Sequence, residues 1–176
     1  MSSFRSTALL VTAAGILSLA GCGFKPLYGV DSASHQPAVA AQFAAIEIPP
    51  LADRRGQQMR NLLIDALHSS GAAEDYRYRL TVVIAESVLN LGLQQNSTST
   101  RGQVRLTVKY ALIEEKTGKN LLHETLRTST GYNILINQFS SVLSQDDAEA
   151  QGLQQIANDM AQHIALYFAT EKPADK

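Results

Sequence analysis

The chemistry open to this chain begins at Cys22, its only thiol, which closes the run Leu19-Ala20-Gly21-Cys22. A thiol is the side chain best suited to accept a diacylglyceryl group through a thioether. The preceding segment has Arg5 as a short basic start and an apolar stretch from Ala8 to Ala20, broken only by Thr12, Gly15 and Ser18. Residues 1–21 therefore read as an export signal with small residues at the cut. A membrane-spanning helix needs about 20 apolar residues, more than this run offers. The mature chain then starts at a lipidated Cys22, and no disulfide can form within it. Each buried lipid CH₂ contributes about 0.8 kcal/mol, so several acyl chains hold a protein on a membrane far more firmly than one.

Other reactive arrangements are missing from the sequence. His35, His68, His123 and His163 are scattered, none at metal-ligand spacing from a second His or from the Cys. No Gly-rich phosphate loop and no Gly-x-Ser-x-Gly occurs. Asp146 and Asp147 are paired carboxylates only in name: neighbours on a helix do not face each other, and a helix start accounts for them. The expectation is a protein with no catalytic residue, no metal and no cofactor.

A basic set is more suggestive. Arg77 and Arg79 share the polar face of one predicted strand, Arg105 and Lys109 that of the next, and Arg127 that of a later one; Arg101 stands at the base of the loop between the first two. Arginine forks suit phosphate and carboxylate oxygens, so an anionic ligand fits this stripe. The same charges also suffice to keep a solvated strand face soluble and to discourage edge pairing. Without Arg5 the chain carries fourteen Lys and Arg against sixteen Asp and Glu, a balance that does not indicate bulk nucleic-acid binding. The distribution is uneven: Asp53 to Arg127 holds eleven basic and eight acidic residues, Thr128 to Lys176 two basic and six acidic.

The elements that must position these residues follow from periodicity. Residues 22–42, with Pro26, Gly29, Ser32, Ser34 and Pro37, read as a tether from the lipid to a single domain over 43–171, followed by a polar tail at 172–176. Ala45-Ile46-Glu47-Ile48 alternates and stops at Pro49-Pro50, predicting a short strand. Asp53 is the N-cap candidate of a helix ending near Gly71, with Met59, Leu62, Leu63, Ala66 and Leu67 at helical spacing. Tyr76, Tyr78, Leu80, Val82 and Ile84 alternate with Arg77, Arg79 and Thr81, and Val104 to Leu112 repeats the pattern. Asn90 to Thr100 is a polar loop between these strands. Leu121 to Thr130 is the fourth strand. Ser144 with Asp147 marks a capping-box-like start of a last helix whose apolar stripe is Leu153, Ile156, Ala157, Met160, Ile164 and Phe168.

A sheet with one apolar face and two helices with one apolar stripe each predict an α+β fold. The expected form is a two-layer α/β sandwich, a four-stranded mixed sheet with two helices packed on one face, in the order strand, helix, three strands, helix. The first two strands are joined by a right-handed crossover and the last three form an antiparallel meander. Tyr76, Tyr78 and Tyr110 fall on its core face, where they serve packing.

Leu-Ala-Gly-Cys resembles the lipobox of bacterial lipoproteins, and Gly23 in place of an aspartate after the cut implies the periplasmic face of the outer membrane. The following Cys22-Gly23-Phe24-Lys25-Pro26-Leu27-Tyr28 resembles the opening of LptE-type lipopolysaccharide-assembly lipoproteins in their alphaproteobacterial form. The run from Arg101 to Ile113 and the pairs Tyr132-Asn133 and Asp147-Ala148 extend the likeness. The resemblance implies a non-enzymatic plug and assembly partner of the β-barrel LptD in lipopolysaccharide transport. It also implies contact with lipopolysaccharide through Arg77, Arg79, Arg101, Arg105, Lys109 and Arg127. No Lys or Arg occurs between Arg127 and Lys172, so the loop before the last helix offers no basic contact. The alternative function is that of a periplasmic accessory lipoprotein of an ABC-type lipid transport system. Under either reading Cys22→Ser should move the protein from the membrane to the soluble fraction, and membrane attachment that survives this change would point to an uncleaved helix.

Overall fold

The computed structural model describes residues 38–69, 71–93 and 99–170. The residues expected to form the export signal, Cys22 and the rest of the chain up to residue 37, residue 70, residues 94–98 and the tail after Thr170 lie outside them. Seven elements follow in order: helix α1 (Ala38–Ala44), strand β1 (Ile46–Glu47), helix α2 (Asp53–Leu67), strands β2 (Tyr78–Leu93), β3 (Ser99–Glu114) and β4 (Asn120–Asn133), and helix α3 (Gln138–Thr170). The sheet order is β1-β2-β3-β4. β1 lies parallel to β2, and β2, β3 and β4 form the expected antiparallel meander.

Register turns the alternation of each strand into one dry face. Leu80 pairs with Leu112, Val82 with Tyr110 and Ile84 with Val108, while Val108 and Leu112 pair onward with Leu126 and Leu122. All of these belong to the hydrophobic cluster or pack against it. Since strand side chains alternate faces, the residues between them must point the other way. α3 lies over β4 and β3, and α2 packs against α3. Met59, Leu63 and Leu67 of α2 and Leu153, Ile156, Met160 and Ile164 of α3 are buried on this side. Gly152 lets α3 come close, because a Cβ there would stand 2.9 Å from Leu106 Cδ1 and 3.2 Å from Thr128 Cγ2.

Several boundaries differ from the expectations, each for a physical reason. The end of the segment assigned to a tether is helical: α1 drops Phe43 into the core, a contact that its alanine-rich sequence does not announce. β1 is two residues long rather than four. Asp53 opens α2 with a left-handed backbone (φ 65°), and no side chain caps the first turn. The stretch from Asn90 to Thr100 is largely strand, with Asn90 paired to Gly102, Leu91 to Arg101 and Leu93 to Ser99; residues 94–98 lie outside the described residues. Tyr76 lies ahead of β2 and is exposed, whereas Tyr110 is buried.

The last helix starts at Gln138, two turns before Ser144. Its cap is Asn137, whose Oδ1 accepts from the Phe139 N–H at 2.9 Å. Asp146 and Glu149 are therefore not first-turn acids. Arg54 Nη2 is 3.3 Å from Asp146 Oδ1, and Arg55 Nε donates to Glu149 Oε1 at 2.9 Å while its Nη2 pairs with Glu86. Arg55 thus ties α2, β2 and α3 at one point, and the Glu149 side chain is only 6 % exposed. Removing one member of a pair this buried leaves a desolvated charge behind. Arg55→Met should cost about 3 kcal/mol, because it takes the partner of Glu86 and leaves Glu149 with only the 3.9 Å contact to Arg54. Thermal unfolding should show a drop of roughly 10 °C; an unchanged midpoint would mean that the clamp carries no stability.

Candidate functional site: the open face of the sheet

The face turned away from the helices carries the basic residues. On β3, Arg101, Arg105 and Lys109 all point outward and are exposed. At about 3.3 Å per residue they stand roughly 13 Å apart along the strand. Arg127 of β4 pairs with Thr107 and so fills the gap between Arg105 and Lys109, and His123 pairs with Ala111 one step further on. The remaining outward positions are small or neutral, among them Thr81, Ala85, Ser87, Gln103, Thr125 and Ser129. The acids Glu86 and Glu124 fall on the helix side of the register. Among the described residues, no outward strand position from Thr81 to Leu91, Arg101 to Ala111 or His123 to Asn133 bears a carboxylate. Arg105, Lys109 and Arg127 form no ion pair there.

Arg77 and Arg79 do not stand open on this face. Arg77 precedes β2, donates from Nη2 to Gln42 Oε1 at 3.0 Å and sits 5.6 Å from the Tyr78 ring centroid. Arg79 lies at the β1 end, opposite Ile113, and is held between Glu115 and Glu47, the latter at 3.1 Å. The hydrogen bond to Glu115, then the charges of Glu115 and Glu47, push its pKa above the ordinary arginine value. Both arginines are occupied in joining α1, β1 and the β3–β4 turn. Alternation on a strand places them on the right face, but it is blind to acids brought in from other elements.

At the far end of the sheet, a cavity of about 620 Å³ is lined by Arg101, Gly102, Tyr132, Asn133, Asp147 and Gln151, among others. The Tyr132 ring lies directly against Gly102, where any Cβ would collide with it, and Tyr132 Oη donates to Gln145 Oε1 at 3.3 Å. Tyr132-Asn133 and Asp147-Ala148, two pairs far apart in the sequence, thus meet in one wall. Beside it the chain from Leu135 to Leu143 is strongly apolar on its surface. Ile136 is fully exposed and Phe139 is 72 % exposed, with Leu135, Val142 and Leu143 also open to solvent. The sequence reading began the last helix only at Ser144, since the apolar residues ahead of it have no core partner to set a period. A patch of this kind on a surface marks an interaction site more often than a structural accident.

One cluster has the residue types of acid–base chemistry. Glu124 Oε2 accepts from Tyr110 Oη at 2.9 Å and lies 2.5 Å from His163 Nδ1. The trio sits between β3, β4 and α3 on the helix-covered side, away from the cavity and the basic face. Burial, then the bond and charge of Glu124, raise the Tyr110 phenol well above its ordinary value. The His163 bond holds Glu124 below the usual carboxylate range, against a smaller opposing effect of burial. What the trio does is fasten α3 to the sheet.

The described residues thus form a two-layer α/β sandwich with one helix-covered face and one cationic face. The profile of the LptE lipopolysaccharide-assembly family matches residues 43–167, and the chain belongs to that family. Among solved structures, a candidate lipoprotein from Caulobacter crescentus CB15 shares the fold with a TM-score of 0.62 at 18 % identity, over 76 % of this chain and 97 % of that one. A minor lipoprotein from Acinetobacter baumannii superposes with a TM-score of 0.52 at 19 % identity, over 69 % and 88 % of the two chains. An uncharacterized protein of Rickettsia prowazekii (strain Madrid E) is 21 % identical over 150 residues, spanning 85 % of this chain and 90 % of its own.

The depressed pKa of Glu124 gives its contact a pH signature. Its stabilisation is present in full above the unfolded carboxyl value of about 4.3 and is lost as pH falls through the lower folded value. Glu124→Gln should therefore melt below wild type near pH 6, and the gap should close as pH falls below the ordinary carboxyl range. A gap independent of pH would mean that ionisation of Glu124 contributes nothing.

Proposed function

We propose that this protein is a lipid-anchored, non-enzymatic component of the outer membrane, held on the periplasmic face through Cys22. It acts as plug and assembly partner of an LptD-type β-barrel and assists insertion of lipopolysaccharide into the outer leaflet. Membership of the lipopolysaccharide-assembly family carries this reading. The open sheet face supports the ligand: Arg105, Lys109 and Arg127 form a cationic strip with no carboxylate at the described outward strand positions around it, and Arg101 continues it to the cavity that it lines with Asp147. Lipopolysaccharide presents phosphates and acidic sugars, which guanidinium and ammonium groups bind by charge-assisted hydrogen bonds. A plug inside a barrel needs a polar exterior over a dry core, because the lumen of a barrel is polar. The exposed residues from Leu135 to Leu143, next to the cavity that Arg101 lines, supply apolar surface beside the charge, as an amphiphile requires.

Protein purified from outer membranes should bring down a large β-barrel chain. The triple charge reversal Arg105→Glu, Lys109→Glu and Arg127→Glu should weaken lipopolysaccharide binding more than tenfold while the folded domain persists, since each charge-assisted bond is worth about 1.5–3 kcal/mol. Absence of any barrel in the pull-down would refute the assembly role. Unchanged surface lipopolysaccharide on depletion would favour the ABC-linked alternative. Equal binding by wild type and triple variant would return the strip to solubility alone.

A further inference from the structure

β2 is sixteen residues long, but its outer neighbour β1 covers only Tyr78 and Arg79. Beyond that point no strand lies on the outer side of β2 among the described residues. The hydrogen bonds at its start fix which groups are left facing outward. Arg77's carbonyl accepts from Glu115 on the β3 side, whereas the Tyr78 N–H donates outward to the Ala45 carbonyl at 3.1 Å. Register between β2 and β3 then runs without a shift from Tyr78 to Leu91. In an antiparallel ladder alternate residues direct both backbone groups to the partner. The N–H and C=O groups of Ile84, Glu86, Val88 and Asn90 therefore face away from β3.

Leu51 to Gly56 flank this edge at Val82 to Ile84 across a cavity of about 210 Å³, but past Ile84 it lacks the usual protections among the described residues. Exposed edges are ordinarily blunted by Lys, Pro, bulges or a covering element. From Leu80 to Leu93 there is no Lys, Arg or Pro, and the only charge is Glu86, which Arg55 neutralises. Val83 is 66 % exposed, and Val88 is also open. The opposite edge of the sheet is different: β4 carries His123, Glu124 and Arg127 and lies under α3. One edge is thus guarded and the other is neutral, apolar and rich in β-formers, the combination used when a protein accepts an added strand.

We propose that the outer edge of β2 from Ile84 to Asn90 pairs with a β-strand of the barrel partner before that barrel closes, an inference that rests on the reading under Proposed function. Transmembrane barrel strands are neutral over about ten residues and alternate apolar with polar side chains. They match this edge in charge and in backbone demand, and they have free edges only until closure. A closed barrel offers none, so the pairing belongs to assembly and is released when the partner's own first and last strands meet.

The test uses the full lipidated protein in cells, with a photoreactive residue at Ser87 and, as a control on the guarded side, at His123. Newly made barrel chain should crosslink to position 87 within one defined segment, not to position 123, and the product should fade as the barrel matures. Val88→Pro removes an outward N–H that the β2–β3 ladder does not use, and Val88→Lys adds an edge charge at an exposed site without any backbone change. Each should reduce the crosslink at least tenfold; the lysine variant keeps the test valid if the proline variant does not fold. Crosslinks that survive both changes, that persist at full strength on the mature barrel, or that join two copies of this chain would overturn the inference. If the barrel co-purifies but position 87 never reaches it, only this inference fails; if no barrel co-purifies, the proposed function fails first.

Discussion

The packing of α3 onto one side of the β2–β3–β4 meander decides everything else about this molecule. A strand changes face at each residue, so once Leu106 and Val108 lie under Gly152 and Ile156, Arg105 and Lys109 have no choice but water. Core and basic face are two readings of the same strand, and neither can be altered by a one-residue shift without exchanging them. The close approach at Gly152 and the Arg55 link to Glu86 and Glu149 hold this choice in place. The helix-side acids are consumed in joining elements, and the far side is left with cations and neutral residues.

Much of this was legible in the sequence, because periodicity is a local signal that tertiary structure seldom reverses. The alternation in Tyr78–Ile84 and Val104–Leu112 marked two strands and their buried sides, and Leu153 to Phe168 marked the buried stripe of α3. What was not legible depended on partners distant in sequence. Residues 38–42 look like part of an alanine-rich spacer until the helix they form with Phe43 is seen to enter the core. Phe139, Val142 and Leu143 hide the start of α3 because they face solvent, and helix recognition relies on a stripe that faces a core. Arg77 and Arg79 belong to the polar pattern of β2, yet Gln42, Glu47 and Glu115 arrive from elsewhere to occupy them.

The candidate site was legible in a similar proportion. Arg101, Arg105, Lys109 and Arg127 stand where alternation placed them, on one bare face. The cavity was not foreseeable, since its wall joins Gly102 and Tyr132 of neighbouring strands to Asp147 and Gln151 of α3. The likeness to the LptE family had singled out several of these residues without a reason for their company, and the wall they share supplies one.

α3 is a single uninterrupted helix of thirty-three residues, about 50 Å from end to end at 1.5 Å per residue. Its leading turns bear the exposed Phe139 and Val142, while near its other end the Phe168 ring meets that of Tyr78 at a tilt, 5.2 Å between centroids, beside β1. One rod thus spans the described domain, with a greasy prow at its start and an aromatic joint at its stern.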